Sequence, residues 1–264
     1  MVLAVRAVHD TLPSMKRIVP LIALSACVLM ASNVAFAQTA DEVIEKHLTA
    51  LGGREALGKI TSRTMSGTIA LSTPAGEVTG TIQVFGKTPN KSRSVIKVDL
   101  SQFGIGELVV DQRFDGTAGY VLDSMNGNRD VTGSQLDNMR NAGFPTAFLK
   151  YKENGVKVEL LPKEKVGDRD TFVLQVTPKS GSPSKQYFDA ETYMLLKTLT
   201  TVNVPQLGRD VEQTGEFADY RAVDGVKLAH SVKSTNPVQS FTITVTAVEH
   251  NKEIDDATFV KPEK

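Results

Sequence analysis

The rhythm of apolar and polar residues changes three times along this 264-residue chain. Val43, Ile44, His47, Leu48 and Leu51 recur at helical spacing and give one apolar face. Thr39-Ala40-Asp41-Glu42 precedes them as a capping box, in which the Thr hydroxyl accepts from the third helical N–H and Glu42 reaches back. Gly52-Gly53 supplies the left-handed stop, and Arg54 to Ile60 reads as a second short helical turn. After Thr61 the period becomes two. Met65, Ile69 and Leu71 alternate with Thr64, Ser66 and Thr68, and Val78, Ile82 and Val84 alternate with Thr79, Thr81 and Gln83. Ile96, Val98 and Leu100 share a face. Pro74-Ala75-Gly76, Pro89-Asn90 and Asn126-Gly127 are turn signals, and Asp115-Gly116 joins residues 107–111 to 119–123 as a hairpin.

The alternation breaks between Ser134 and Asn154. Gln135 to Asn141 has a helical look, with Leu136 and Met139 on one side, and Pro145 to Lys152 suits one or two further turns. Strand alternation then resumes at 156–161, 171–177, 185–189, 193–201, 210–221, 226–233 and 241–248, with Asp224-Gly225 as another hairpin turn. Asp189-Ala190-Glu191-Thr192 reads as a turn in which the Asp carboxylate accepts from backbone N–H groups two residues on. The pattern predicts a mainly β (α+β) fold: an N-terminal helix, four to six strands, a helical insertion, then six or seven strands. Helices do not alternate with strands, which argues against a parallel α/β sheet. A twisted antiparallel sheet of that many strands curls. The N-terminal helix and the insertion are the segments available to fill its concave face.

Residues 1–37 have a different character. Met15-Lys16-Arg17 is a basic start, Ile18 to Met30 is an apolar run of 13 residues, and Ala35-Phe36-Ala37 is a small-x-small cleavage site. That order is the secretory pattern, and the run is shorter than the ~20 residues that span a bilayer. We expect a signal peptide over 15–37, a true start at Met15, and a single domain over 38–264. Leu24-Ser25-Ala26-Cys27 also resembles a lipobox, so the alternative to cleavage after Ala37 is lipidation at Cys27 and a lipid-anchored protein.

Composition narrows the function. Setting aside Arg6, Lys16, Arg17 and Asp10 from 30 basic and 30 acidic residues leaves 27 and 29 in residues 38–264. Near-neutral charge without a basic run argues against nucleic acid. Cys27 is the only cysteine of the chain, so residues 38–264 have neither disulfide nor thiol nucleophile. His47, His230 and His250 lack metal-ligand spacing, and no nucleophile elbow, P-loop or dinucleotide fingerprint is present. No cofactor, metal or catalytic residue is expected. The insertion stands out. Leu136, Met139, Phe144, Phe148, Leu149 and Tyr151 form an apolar set around Gly143-Phe144-Pro145, which suits core packing or a movable lid over a cavity.

The chain resembles the LolA/LolB superfamily of bacterial envelope proteins, the outer-membrane lipoprotein-sorting group. The likeness is carried by residues 48–53 (LTALGG), 187–196 (YFDAETYMLL), 217–221 (FADYR), 223–228 (VDGVKL) and 251–259 (NKEIDDATF). It implies a half-open antiparallel β-barrel wrapped over helices, which holds acyl chains or other apolar ligands in its concave face. It also implies an early-strand arginine that helps hold the lid closed, for which Arg93 is the nearest candidate. The expectation is a periplasmic, non-enzymatic carrier for lipid, lipoprotein acyl chains or another apolar ligand. Leu136, Met139, Phe144, Phe148, Leu149 and Arg93 are its site candidates. The alternative is an envelope module, a stress sensor or assembly factor, that binds a protein partner on the same concave sheet. A hydrolase would require His230, Asp219 and a serine to converge on a pocket.

Overall fold

The computed structural model describes residues 38–73, 76–204 and 207–263. The leader, with the expected signal peptide and Cys27, lies outside them, as do Pro74 and Ala75 of one expected turn.

The chain opens with α1 (Ala40–Ala50), whose N-terminus is closed by the expected capping box: Glu42 N donates to Thr39 Oγ1 at 3.2 Å, and Thr39 N donates to Glu42 Oε2 at 2.8 Å. Helix α2 (Arg54–Gly58) follows the two glycines, and Gly53 N donates to Leu48 O at 2.8 Å to close α1. Thirteen strands come next. They are β1 (Ser62–Thr73), β2 (Gly76–Lys87), β3 (Lys91–Asp99), β4 (Glu107–Phe114), β5 (Gly119–Asp123), β6 (Arg129–Val131), β7 (Lys157–Val166), β8 (Arg169–Thr177), β9 (Ser184–Asp189), β10 (Leu195–Val204), β11 (Arg209–Val223), β12 (Val226–Thr235) and β13 (Ser240–His250). Between β6 and β7 lie α3 (Gly133–Ala142) and a 3₁₀ turn, Ala147–Lys150. The insertion thus divides six strands from seven, as the loss of alternation indicated.

All thirteen strands form one antiparallel sheet in the order β6-β5-β4-β3-β2-β1-β13-β12-β11-β10-β9-β8-β7. It is a curled, half-open barrel: β6 and β7 are its two edges and do not pair with each other. Every neighbouring pair but one is a hairpin or consecutive meander step. The exception is β1 against β13, registered from Arg63 opposite His250 to Ser72 opposite Ser240. A bulge at Ser66/Gly67 interrupts this seam. A Cβ on Gly67 would come within 2.2 Å of the Thr244 carbonyl oxygen, so only glycine lets the two backbones approach there.

The apolar face of α1 (Val43, Ile44 and Leu48) packs on the concave side of the sheet with Phe172, Leu174, Phe188 and Phe148. His47 belongs to this core. Its Nδ1–H donates to the Tyr193 carbonyl at 2.8 Å, and its ring meets Phe188 edge-on at 4.8 Å. A second cluster joins Phe114, Val121 and Val131 of β4–β6 to Met139 and Leu136 of α3. A third, around Ile69, Val78 and Val98, lines the middle of the sheet with Phe241 and Ile243 across the seam.

Two outcomes follow. Gly67→Ala forces backbone apart at the seam and lowers stability by about 1–3 kcal/mol. Gly58→Ala, in α2 where a Cβ meets nothing within 4 Å, adds about 0.5–1 kcal/mol. Urea midpoints of the two variants check both signs. The second outcome concerns pH. Burial holds His47 below its ordinary value near 6.5 against the opposing pull of the Tyr193 carbonyl, and burial likewise lowers His250. The unfolded chain therefore takes up protons that the folded chain refuses as pH falls below 6.5, so stability is full above that value and declines below it. The melting temperature drops between pH 7.5 and 5.5, and His47→Gln flattens that slope. An unchanged slope in the variant removes His47 as its cause.

Candidate functional site

Side chains alternate across each strand, so register assigns them to faces. On β2–β5 the inward positions are Ile82, Val84, Ile96, Ser94, Ser92, Val110, Gln112, Phe114 and Val121, matched by their cross-strand partners. On β9–β11 they include Gln186, Thr200, Val202 and Gln213. Between the two apolar clusters, inward positions are small or polar, and they leave space.

That space is a cavity of about 860 Å³ between α3 and the concave sheet. Gln112, Gln213 and Phe241 come from the sheet, Gln135 and Asn138 from α3, and Asn236 from the β12–β13 turn. A second cavity of about 350 Å³ lies on the 3₁₀-turn side, walled by Phe148, Tyr151, Val156 and Val176. Asn138, Ala142, Val202 and Gln213 line both, so the two meet there.

The insertion roofs this space, and its two halves are fastened differently. The 3₁₀ half is fixed in the main core. Phe148 packs edge-on against His47 and Phe188, Tyr151 Oη donates to Asp41 Oδ1 at 2.5 Å, and Arg54 Nη1 donates to Leu149 O at 2.9 Å. Lys152 also bonds Asp41, and these contacts hold the Asp41 carboxyl below the usual carboxylate range. The α3 half rests on Leu136 and Met139 and on single hydrogen bonds. Gln135 Nε2 donates to Gln112 Oε1 at 3.3 Å, Asn138 Nδ2 to Thr201 O at 3.2 Å, and Asn141 Nδ2 to Ser180 O at 2.8 Å. Gly143, with φ +62°, separates the halves.

Of the six sequence candidates, Met139 lines the larger cavity and Phe148 the smaller. Leu136 and Leu149 back them from the flanking clusters. Phe144 lies over Gly86, where a Cβ would stand 2.6 Å from its ring. Arg93 is not brought to the insertion. It points to the convex face, where Asp111 accepts from its Nε at 2.9 Å and Nη2 at 2.8 Å, and also from Arg113. Burial pushes the Asp111 carboxyl up, but the two guanidiniums outweigh it and leave it below its usual range.

The early-strand arginine against the insertion is Arg63. Its guanidinium stands 5.4 Å from the centre of the Phe144 ring, and its Nε donates to His250 Nε2 at 3.1 Å. His250 Nδ1–H donates in turn to Asp224 Oδ2 at 3.1 Å. Burial lowers Arg63 to about 10, which keeps it charged at neutral pH, and its buried Nη2 has no hydrogen-bond partner among the described residues.

The amide groups of the larger cavity escaped the sequence reading, which looked for titratable and apolar residues. Gln112 between Val110 and Phe114 carried a signal: a polar side chain on the inward parity of a strand.

Elsewhere the histidines are engaged locally. His230 Nδ1–H donates to Leu228 O at 2.9 Å, while the Asp219 carboxylate takes two bonds from Arg221. Asp189 accepts from Glu191 N and Thr192 N, which makes it the turn residue expected. Among the described residues no group of three or more His, Cys, Asp or Glu is placed to hold a metal, and no helix is long and apolar enough to cross a membrane.

No protein-family model matches the chain, and no curated protein sequence matches it. Solved structures do. A LolA superfamily protein from Nitrosomonas europaea superposes with a TM-score of 0.56 at 16% identity, over 85% of this chain and 99% of that one. A DUF1329 family protein from Desulfovibrio piger gives 0.55 at 14% identity, over 85% and 98%. An outer membrane lipoprotein-sorting protein domain from Vibrio parahaemolyticus gives 0.50 at 13% identity, over 83% and 94%. The chain therefore has the LolA-like fold that residues 187–196 and their companion segments suggested.

Proposed function

We propose that this protein is a non-enzymatic carrier of the bacterial envelope that holds the apolar part of a lipid, or of a lipoprotein's acyl chain, on its concave face. The leader over 15–37 would take it out of the cytoplasm, and residues 38–264 would act as one domain in the periplasm. The observation that carries the reading is the open space between α3 and the sheet, which ends against Phe148, Tyr151, Val156 and Val176. Apolar clusters fill the concave face toward α1 and toward β6, yet Ser92, Ser94, Thr200 and Gln213 occupy inward positions between them and leave space. A ligand pocket of several hundred Å³ with apolar walls suits an alkyl chain.

The fastening of the insertion supports a lid. Its 3₁₀ half is locked by the aromatic contacts of Phe148, whereas α3 buries Met139 and otherwise holds by single side-chain hydrogen bonds, among them those of Gln135, Asn138 and Arg140. Opening would pivot at Gly143, and Arg63 beneath Phe144 would fix the hinge side. The LolA-like fold supports the carrier class without specifying the cargo.

Val202, which lines both cavities, offers the test. Val202→Phe fills the junction and lowers affinity for dodecanoate at least about tenfold, since each lost buried CH2 forfeits about 0.8 kcal/mol. Titration of the purified protein with dodecanoate, alongside melting curves to confirm the variant is folded, checks this. A wild-type protein that takes up no fatty acid, or a folded variant that binds it unchanged, removes the reading.

A further inference from the structure

The two joined cavities differ in chemistry, and that difference bears on what the ligand looks like. The smaller has an apolar wall of Phe148, Tyr151, Val156, Val176 and Pro178, faced by hydroxyls and amides of the sheet such as Thr200 and Gln186. The larger presents carboxamides: Gln112, Gln135, Asn138, Gln213, Asn236 and Gln239 all line it. These amides come from four separate places in the chain, namely β4, α3, β11 and the β12–β13 turn. No local sequence feature explains their meeting in one space.

Several are only half engaged. Gln112 accepts from Gln135, and Gln213 accepts from Asn236 Nδ2 at 3.3 Å, each through its Oε1. Among the described residues no hydrogen bond engages the Nε2 of either. Oxygen and nitrogen of an amide exchange places on a flip, but one end of each group stays available in either setting. The charged residues of the lining, Asp123 and Arg129, make local hydrogen bonds to neutral groups. Asp123 accepts from Met125 N and Asn126 N at 2.9 Å each, and Arg129 Nη2 donates to Gln135 Oε1 at 3.0 Å.

We propose that the ligand is an amphiphile with a neutral polyhydroxyl headgroup, a sugar, seated in the larger cavity while its alkyl tail enters the smaller one. The proposal rests on the carrier reading above and adds the headgroup to it. A carboxamide offers a donor and an acceptor side by side in one plane, and adjacent sugar hydroxyls offer the same pair in return. Such contacts satisfy polar groups on both sides without burying a charge. A neutral headgroup needs no counter-charge, whereas an ionised one would depend on Arg129 or Asp123 at the rim, an outcome that the dodecanoate and phosphocholine ligands below read directly. Phe241, at the same cavity, adds a flat ring that suits the C–H face of a sugar. A peptide is the less suited occupant. Strands β10 to β13 beneath the cavity are paired on both sides, and the free edge at its margin, β6, is only three residues long, too short to extend a ladder far.

The test compares ligands of one tail length with the purified protein, below their micellar concentrations: n-dodecyl-β-D-maltoside, dodecylphosphocholine, dodecanoate, and a dodecanoyl Ser-Ser-Asn tripeptide amide. Calorimetry is expected to show the maltoside binding at least about tenfold tighter than the other three, the value of one or two well-made hydrogen bonds. The double variant Gln112→Leu/Gln135→Leu, at two positions that line only the larger cavity, loses that preference, about tenfold for the maltoside, and binds dodecanoate within about twofold of wild type. Gln239→Leu, at an exposed rim position, gives a smaller loss of about threefold without touching the core. If the maltoside shows no preference, or keeps it in the double variant, the sugar assignment falls and the carrier reading stands. Equal or tighter binding of the lipopeptide reassigns the amides to a peptide headgroup and overturns the proposal. Failure of all four ligands to bind overturns both.

Discussion

The pairing of β1 with β13 is the constraint on which the rest depends. Every other pairing in the sheet joins strands that follow one another in the chain, so two meanders, β1–β6 and β7–β13, form from local hairpins. The seam alone unites them, across about 180 residues. Closing a loop of that length costs about 4–5 kcal/mol by chain entropy, and the ladder from Arg63 to Ser72 must offset it together with the Ile69, Leu71, Ile243 and Phe241 contacts. Once the seam is made, β6 and β7 are the far edges of one sheet, and the chain between them has to travel from one edge to the other. Twelve strand spacings of about 4.8 Å make a flat sheet nearly 60 Å wide. The 25 residues between Val131 and Lys157 reach that far only if drawn out almost straight, given about 15 Å for α3 and about 3.4 Å per extended residue. The sheet must curl, and the segment must cross its concave side. The roof over the cavity is thus a consequence of the topology.

The roof does not by itself create a cavity; the inward residues do. Near α1 the concave face is filled by Phe172, Leu174 and Phe188, and near β6 by Phe114, Val121 and Met139. Between them the inward positions turn to Ser92, Ser94, Gln112, Gly215, Gln213 and Ser234, too small or too polar to close the gap. The same division explains why the insertion has a rigid and a lightly held half. Residues after Pro145 land on the filled side and join its core. Residues before Gly143 land over the gap, where amide bonds to the sheet take the place of packing.

Much of this was legible in the sequence, and what was not has a common cause. The capping box at Thr39, the hairpins at Asp115-Gly116 and Asp224-Gly225, and the insertion's place between two runs of strands depend on residues close in the chain, whose local chemistry speaks for itself. Which face a strand turns inward depends on register with distant strands. Along Ser92-Arg93-Ser94 both parities run on to an apolar residue, Ile96 on one and Val95 on the other, so the local pattern marks neither face strongly and a one-residue shift inverts it. Arg93 therefore drew attention that Arg63 earns by its position against Phe144. The seam and the amide lining share that limitation, because each is assembled from segments that only the completed sheet brings together.

The distribution of charge across the sheet follows from the same assembly. Arg93, Asp111 and Arg113 stand on the convex face, as do Lys87 and Lys91 with Asp256. The concave side carries amides and hydroxyls, with Asp123 and Arg129 at its rim and Arg63 shut beneath Phe144. A carboxamide that loses water to a ligand can recover its bonds from a neighbouring amide or a ligand hydroxyl, whereas an unpaired charge recovers them less cheaply. Gln135 to Gln112 and Asn236 to Gln213 are such bonds, made between groups that also face the cavity. The polar lining is partly satisfied by pairing with itself, and a ligand that enters would exchange those bonds for its own. Gln135 and Asn138, which face the cavity, also tie α3 to the sheet, so binding of a neutral headgroup and release of the roof draw in part on the same hydrogen bonds.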